Sequence, residues 1–223
     1  MLDIVSKSLG KSTSGNRLSD RPEYNGRMER SMYDARGRRK YLAPLESKAF
    51  LEAALFARGK TATFCAVLVL TGARISEVLA LTPERIDDAS CAISFKTLKQ
   101  RTHGSNRVLP VPRKLLNFLD ATHHYREAQF DPERAGKRLW SWSRTTAWRR
   151  VKAAMIVAAV PRHVSMARSV RHAFGAKAVM KTVNLAMIQK WLGHKDISTT
   201  TIYTTVIGPE ERTLAQRMRV AGW

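Results

Sequence analysis

The chain has 223 residues, 44% of them hydrophobic, which is enough to bury a sizeable core in one large domain or a domain with a tail. Its two cysteines, Cys65 and Cys91, belong to no CxxC or Cys/His ligand set, which argues against a structural zinc site. There is no signal-peptide pattern and no apolar run of about 18 residues, so we expect a cytoplasmic, nucleoid-associated protein without a membrane partner.

The formal net charge of +21 comes from 39 Lys and Arg against 18 Asp and Glu, and such a charge favours nucleic acid as the partner. The basic residues are concentrated, because residues 134–195 contain fourteen Lys and Arg and no Asp or Glu. A generic solvated surface would mix the two signs. An anionic membrane surface is the alternative, but no lysine-rich amphipathic helix or lipidation motif supports it.

Residues 1–41 are polar and basic, with no apolar periodicity. We predict a flexible basic arm here, with one short helix over 27–35, followed by a folded domain over 42–223. The basic residues at 36–40 either contact phosphates or belong to a plain solvated linker.

From residue 42 onward the apolar periodicity is mostly helical, and the run at 61–71 is apolar almost all round, which predicts a buried central helix. The predicted helices are 44–58, 61–71, 74–81, 113–126, 144–159, 166–180, 184–192 and 198–206, with a last amphipathic helix at 210–220 in a tail of about 208–223.

Two short runs rich in β-branched residues, 91–95 and 107–111, interrupt the helical pattern. The basic segment that joins them contains Gly104, so together they predict a β-hairpin. A third short strand is expected but has no clear position. The predicted fold class is therefore mainly α with a small antiparallel β-sheet.

The stretch 191–205, WLGHKDISTTTIYTT, places His194 and Tyr203 nine residues apart, with a turn at Gly193 and a Ser/Thr run that can begin a helix. This geometry can bring the imidazole and the phenol to one cleft. Together with Arg171, Arg74 and a lysine-bearing hairpin, the pair suggests chemistry on a phosphodiester.

Three motifs carry a family resemblance: TGARISEVLAL, VRHAFGAKAVM and WLGHKDISTTTIYTTV. The chain resembles the catalytic domain of the tyrosine recombinases, the phage integrase family, over about 42–212. The resemblance implies the fold of DNA breaking–rejoining enzymes and the activity of a site-specific DNA recombinase of integrase, resolvase or invertase type. Against the family pattern, the usual N-terminal core-binding domain is missing, with the arm in its place. We therefore expect either weak autonomous DNA binding or reliance on an accessory protein.

A phenol with a pKa of about 10 is a poor nucleophile at pH 7, and a phosphodiester anion repels it, so the site needs fixed positive charge. By resemblance, Arg74 and Arg171 clamp the phosphate and His194 donates to it. Tyr203 then attacks to leave a 3′-phosphotyrosine and a free 5′-hydroxyl. Glu77 falls on the same helical face as Arg74, either as its supporting partner or as part of a surface ion pair.

The resemblance implies a hairpin lysine as the acid for the leaving oxygen. We favour Lys99 over Lys96, although both residues could simply contact phosphate. The family commonly places a histidine or lysine three residues before the second arginine, where this chain has Arg168. Arginine accepts no proton in a protein, so Arg168 can hold phosphate but cannot act as the base. His172, one helical position round from Arg171, is expected to pack in the core or to contact a neighbour.

Other basic residues are expected to contact DNA phosphates: Lys96, Arg101, Arg107, Arg144, Arg149, Arg150 and Lys195. The three tryptophans among them, at 140, 142 and 148, are read as core residues in preference to base-stacking ones. No metal or other cofactor is expected, because the basic stretch has no Asp/Glu cluster and the chain has no GxxxxGK[ST] loop. ATP is not needed, since the phosphotyrosine conserves the bond. By resemblance, the C-terminal tail docks on a neighbouring protomer in a tetrameric synapse on double-stranded DNA, or folds back onto its own domain.

Two other functions stay open at this point. A type IB-like topoisomerase shares the tyrosine chemistry and would relax supercoils without recombination. A catalytically weak or inactive DNA-binding protein of the same fold would bind without cleaving, and Arg168 is the feature that favours it.

Overall fold

The fold is mainly helical, with one small sheet, in the part of the chain that a computed structural model describes, residues 31–96 and 106–205. The helices are α1 (Pro44–Phe56), α2 (Gly59–Thr71), α3 (Ile75–Leu79), α4 (Arg113–His123), α5 (Tyr125–Ala128), α6 (Pro132–Ala135), α7 (Arg144–Val157), α8 (Ala167–Met180), α9 (Leu185–Leu192) and α10 (Ser198–Thr201). The short helix α6 was not predicted, and the helix predicted at 210–220 lies outside the described residues. Short 3₁₀ turns lie at Pro83–Arg85, Arg162–Val164 and Ile202–Thr205. No helix among the described residues is long and apolar enough to cross a membrane.

The sheet contains the predicted hairpin, β2 (Ala92–Lys96) and β3 (Asn106–Pro110), paired antiparallel. The third strand, which the sequence did not locate, is the two-residue β1 (Ile86–Asp87) against the other edge of β2. Alternation places Ile93 opposite Leu109 on the buried face. The tip of the hairpin lies outside the described residues.

Helix α2 is the centre of the core, as its all-round apolar pattern predicts. Every residue from Ala62 to Leu68 is buried, and α1, α4 and α8 pack around it. The helix ends at Gly72, whose φ of +61° suits glycine. A Cβ at Gly72 would also lie 2.7 Å from the Phe174 ring, so α2 and α8 approach too closely here for any side chain. The chain therefore turns sharply into Arg74.

Several helices end before their predicted bounds, and two of these early ends have a clear structural consequence. The helix predicted over 113–126 breaks at His124, which takes a left-handed φ of +51°. The break lets Tyr125 bury its ring and donate to Asp88 on the turn after β1. The helix predicted over 198–206 stops at Thr201 and tightens into a 3₁₀ turn that carries Tyr203.

Part of the predicted flexible arm is packed against the domain. Met32 is fully buried, and residues Tyr33 and Arg39 form an isolated β-bridge in place of the short helix expected there. Arg39 pairs with Glu46 on α1. The ordered domain therefore begins by residue 32, ten residues before the boundary that the sequence suggested, while residues 1–30 lie outside the described part.

Candidate active site

A cleft of about 570 Å³ opens where the start of α3, one face of α8 and the C-terminal 3₁₀ turn meet. Most of the predicted catalytic residues line it, together with one that the sequence did not select, His172. The ionisable side chains of the lining are Arg74, Glu77, Arg144, Arg168, Arg171, His172, His194 and Tyr203. The three sequence motifs therefore form one site, although Arg74 and Tyr203 lie 129 residues apart in the sequence.

Arg171 is the buried cation of the cleft. Its Nη1 donates to the carbonyl of Gly72 at 2.8 Å and its Nη2 to the carbonyl of Leu192 at 2.5 Å. These carbonyls lie at the ends of α2 and α9, where helices leave oxygens without partners and the dipole is negative. Burial, with the nearby charge of Arg74 second, lowers the pKa of Arg171 to about 9. The guanidinium stays largely charged at pH 7.

Arg74 is held by Glu77. The carboxylate of Glu77 accepts from the backbone N–H of Arg74 at 2.8 Å and from its Nη1 at 2.7 Å. Burial alone would raise the pKa of Glu77, but the bond from Arg107 and the charges of Arg107 and Arg74 prevail and lower it to about 2. The arginine side chain is about one-third exposed, so its remaining donors face the cleft.

Arg107 is not on the surface, where the sequence reading placed it as a DNA contact. Its side chain is 5% exposed, its Nη2 donates to Glu77 at 2.8 Å and its Nε donates to the carbonyl of Trp191 at 2.9 Å. The guanidinium also lies 5.1 Å from the centre of the Phe95 ring. The signal that would have found this position is the alternation of β3, which puts Arg107 on the inner face with Leu109. Arg107 thus joins the hairpin to the first-arginine motif and to the end of α9.

His194 follows α9 at the turn that Gly193 makes with a φ of +64°. A Cβ on Gly193 would lie 2.9 Å from Cδ of Arg107, so this glycine is needed for space as well as for conformation. The Nδ1 of His194 is 2.8 Å from the hydroxyl of Thr200. Burial, then the charges of Arg171 and Arg74, lowers its pKa to about 3, so the imidazole is neutral at pH 7.

Tyr203 lies almost completely buried at the bottom of the cleft, 1% exposed. Its ring lies directly on Gly175 of α8, where a Cβ would be 2.5 Å from the ring atoms, and stacks parallel to His194 with centres 6.3 Å apart. Burial raises the pKa of the phenol, and the charges of Arg171 and Arg74 oppose this. The phenol is therefore protonated at pH 7 in the absence of a base.

His172 is the site residue that the sequence reading missed. Its Nδ1 lies 3.4 Å from the Tyr203 hydroxyl, and the two rings are 5.9 Å apart. Burial, then the charges of Arg171, Arg168 and Lys40, lowers the pKa of His172 to about 4. The signal that could have found it is its spacing of four from Arg168, which puts both residues on the face of α8 that lines the cleft.

The remaining basic candidates lie around the cleft or outside the described residues. Lys96, Arg144, Arg149, Arg150, Arg168 and Lys195 are exposed, and Arg144 and Arg168 line the cleft itself. The Arg150 guanidinium stacks over the Trp142 ring at 4.5 Å. Trp140 is fully buried and donates to the carbonyl of Lys60, a core position as predicted. Lys99 and Arg101 lie in the segment that is not described, so the choice between Lys96 and Lys99 stays open.

Comparison with known proteins gives a family and relatives within it. The model of the phage integrase family matches residues 40–207. Tyrosine recombinase XerD of Pseudomonas aeruginosa is 30% identical over 156 residues, covering 65% of this chain and 49% of XerD. Tyrosine recombinase XerA of Pyrococcus furiosus is 28% identical over 151 residues, covering 66% of this chain and 50% of XerA. The chain thus spans about half the length of these relatives.

Solved structures agree on the fold. The crystal structure of XerA recombinase has a TM-score of 0.66 at 22% identity, covering 81% of this chain and 65% of XerA. The catalytic domain of bacteriophage HP1 integrase has a TM-score of 0.59 at 22% identity, covering 80% of this chain and 94% of that domain. XerH recombinase bound to its difH substrate has a TM-score of 0.63 at 18% identity, covering 83% of this chain and 59% of XerH. The predicted fold class is confirmed.

Proposed function

The chain belongs to the phage integrase family, and from this premise we propose that it is a site-specific DNA recombinase that cleaves and rejoins strands through a 3′-phosphotyrosine intermediate. The observation that carries the proposal is the meeting of Tyr203, Arg171, Arg74 and His194 in one cleft. A nucleophile, fixed cations and a neutral donor are what phosphoryl transfer to a phenol requires.

The two arginines form the phosphate clamp. Arg171 has no carboxylate partner within hydrogen-bonding distance among the described residues, and its charge is held only by the two backbone carbonyls. A buried cation without a counter-ion is costly, and an incoming phosphodiester supplies that counter-ion. Arg74, anchored on one side by Glu77, completes the clamp from the other side of the cleft.

His194 acts as a neutral hydrogen-bond donor. When the Thr200 hydroxyl donates to Nδ1, the proton of the imidazole lies on Nε2. This tautomer can donate to a non-bridging phosphate oxygen. Because its pKa is about 3 in the free protein, the imidazole that meets the incoming phosphate is neutral at pH 7.

The leaving 5′ oxygen takes a proton from Lys99 or from Lys96 at the end of β2.

Other basic residues contact the phosphates of double-stranded DNA around the cleft: the exposed Arg144, Arg149, Arg150 and Lys195, together with Arg101. The XerH structure of the same fold, bound to its difH substrate, supports DNA as the partner. Residues 1–30 act as a basic arm, and the tail at 208–223 links protomers in a tetrameric synapse, assisted by an accessory protein.

The test is covalent trapping. Wild-type protein is incubated with nicked duplexes from its own genetic neighbourhood, in a chelator and without ATP, and run on denaturing gels beside Tyr203→Phe and the control Tyr33→Phe. We expect a protein–DNA adduct in wild type and control that Tyr203→Phe lacks. Specific binding without any adduct would instead identify a DNA-binding protein, and relaxation of supercoils without recombination a topoisomerase.

A further inference from the structure

Deprotonation of Tyr203 has no agent among the residues assigned so far. Arg168, which lines the cleft on the same face of α8, accepts no proton. His194 stacks on the Tyr203 ring, and its Nδ1 is engaged by Thr200. In the described residues, the base within hydrogen-bonding distance of the phenol oxygen is the Nδ1 of His172, at 3.4 Å.

We propose that His172 is the general base of the reaction, taking the proton of Tyr203 through Nδ1 as the phenol attacks the phosphate. The inference rests on the proposed recombinase function and adds to it the residue that activates the nucleophile. It makes His172 a catalytic residue that compensates for arginine at position 168.

The face of α8 places the two groups together. Arg168, His172 and Gly175 recur at spacings of four and three, so they form one stripe that faces the cleft. Gly175 leaves the space in which the Tyr203 ring lies, and His172, one turn earlier, reaches the hydroxyl of that ring. The same stripe therefore seats the ring of the nucleophile, contacts its proton and presents a cation to the phosphate.

His172 is neutral before DNA binds. Arg168 and Arg171 face it from its own helix and Lys40 from the segment before α1, while Tyr203 and His194 face it from the C-terminal turn. With burial, the three cations hold its pKa at about 4, which keeps a lone pair free but makes a weak base. A phosphodiester in the cleft offsets the charges of the arginines and so raises the pKa of His172. Base strength is thus coupled to DNA binding.

Cleavage transfers the proton of Tyr203 to His172 and exchanges one bond from phosphorus to oxygen for another. The O–H bond of Tyr203 breaks and its proton forms a bond to Nδ1 of His172, while the phenol oxygen bonds to phosphorus. The bond from phosphorus to the 5′ oxygen breaks, and that oxygen takes a proton from the lysine acid. When the strand rejoins, His172 as imidazolium returns its proton to the departing phenol oxygen.

The kinetic test compares His172→Asn with wild type in single-turnover cleavage. Asparagine keeps a hydrogen-bonding atom near the Nδ1 position but accepts no proton. The matched control is His124→Asn, an exposed histidine at a left-handed position that suits asparagine. We expect His172→Asn to bind DNA normally and to cleave about 10²–10⁴-fold more slowly, the range of general acid–base effects, with the control unchanged.

Rescue separates a base from a structural residue. A more acidic phenol, introduced as difluorotyrosine at position 203, ionises without help and should bring His172→Asn to within about tenfold of the wild-type protein carrying the same residue. A lack of rescue, or a cleavage rate for His172→Asn within about threefold of wild type, would overturn the proposal. An absence of adduct from wild-type protein would overturn the recombinase function together with it.

A measurement on the free protein, without DNA, tests the role of His172 independently of activity. Nitrogen NMR of the free protein at pH 7 reports which ring nitrogen of His172 carries the proton. We expect an unprotonated Nδ1. A proton on Nδ1 would leave no lone pair facing Tyr203 and would overturn the role as base whatever the activity of the protein.

Discussion

At the scale of single residues, the carboxylate of Glu77 is the shared counter-ion of Arg74 and Arg107. This carboxylate is 1% exposed and binds the guanidinium groups of both arginines. A buried carboxylate between two cations is stable only as a set, because removing one member leaves the others as unpaired buried charges. Arg107 is the more sensitive of the two, since it is 5% exposed and one of its nitrogens, Nη1, already lacks a partner in the described residues.

Replacing Glu77 with glutamine is therefore expected to lower the free energy of unfolding by about 3 kcal/mol at pH 7. The pKa of Glu77 falls from 4.5 to about 2 on folding, so its ionisation stabilises the fold fully above pH 4.5 and that stabilisation is lost as the pH falls toward 2. Urea unfolding at pH 7 and pH 3 measures both effects, and the loss caused by Glu77→Gln should be smaller at pH 3.

The matched control for this prediction is Glu52→Gln on α1, whose pairing with Lys48 is exposed. We expect no measurable change in its unfolding, because exposed ion pairs contribute little. Equal stability losses for the two variants, or a Glu77→Gln loss that is as large at pH 3 as at pH 7, would contradict the buried-pair argument.

At the scale of elements, α8 determines whether the nucleophile has room. The Tyr203 ring lies against Gly175 so closely that a methyl group there would meet it at 2.5 Å. Gly175→Ala should displace the ring, remove the covalent adduct and lower the free energy of unfolding by about 1–3 kcal/mol, the usual cost of overpacking. Covalent trapping and urea unfolding check the two effects.

Gly136→Ala is the control, because nothing lies within 4 Å of a Cβ at that position and its φ is −86°. We expect full adduct formation and unchanged or slightly higher stability from it. An active Gly175→Ala protein would mean that Tyr203 reacts from a position other than the one in the cleft.

The elements themselves were largely predictable, because periodicity, capping and turn residues act locally. Asn184 and Ser143 begin α9 and α7 by accepting from backbone N–H groups, and Gly72 and Gly193 end α2 and α9. The break at His124 was missed because it follows from where Tyr125 docks, which is a tertiary contact. The same limit applies to the early start of the domain, where Met32 belongs to the buried core cluster that the helices form.

Within the site, the sequence predicted which residues carry the chemistry more accurately than it predicted their contacts. Arg74, Arg171, His194 and Tyr203 were selected from motifs, and the structure brings them to one cleft. The burial of Arg107 depends on how the hairpin docks on α9, and the contact of His172 depends on how the C-terminal turn crosses α8. Neither arrangement is encoded within a window of neighbouring residues.

At the scale of the whole molecule, the net charge of +21 should make DNA binding strongly dependent on salt. Lysine and arginine contacts to phosphates release counter-ions, so the logarithm of the binding constant falls linearly with the logarithm of the salt concentration. The exposed basic residues Arg149 and Lys195 belong to the stretch 134–195, which has no acidic residue. Each of the two is therefore expected to make about one phosphate contact.

Replacing Arg149 or Lys195 with alanine should therefore weaken binding to all DNA sequences alike. Each substitution should also make the slope of log binding constant against log salt concentration less steep by about one unit. Fluorescence anisotropy with a fluorescent duplex at several salt concentrations measures the slope. Lys48→Ala is the control, because this exposed lysine lies on α1 beside Glu52, outside the cleft lining. Removing it lowers the net charge by the same amount, so a slope that changes equally in all three variants would show that only the total charge attracts DNA. A change confined to Arg149→Ala and Lys195→Ala would instead place the phosphate backbone along the basic stretch that surrounds the cleft.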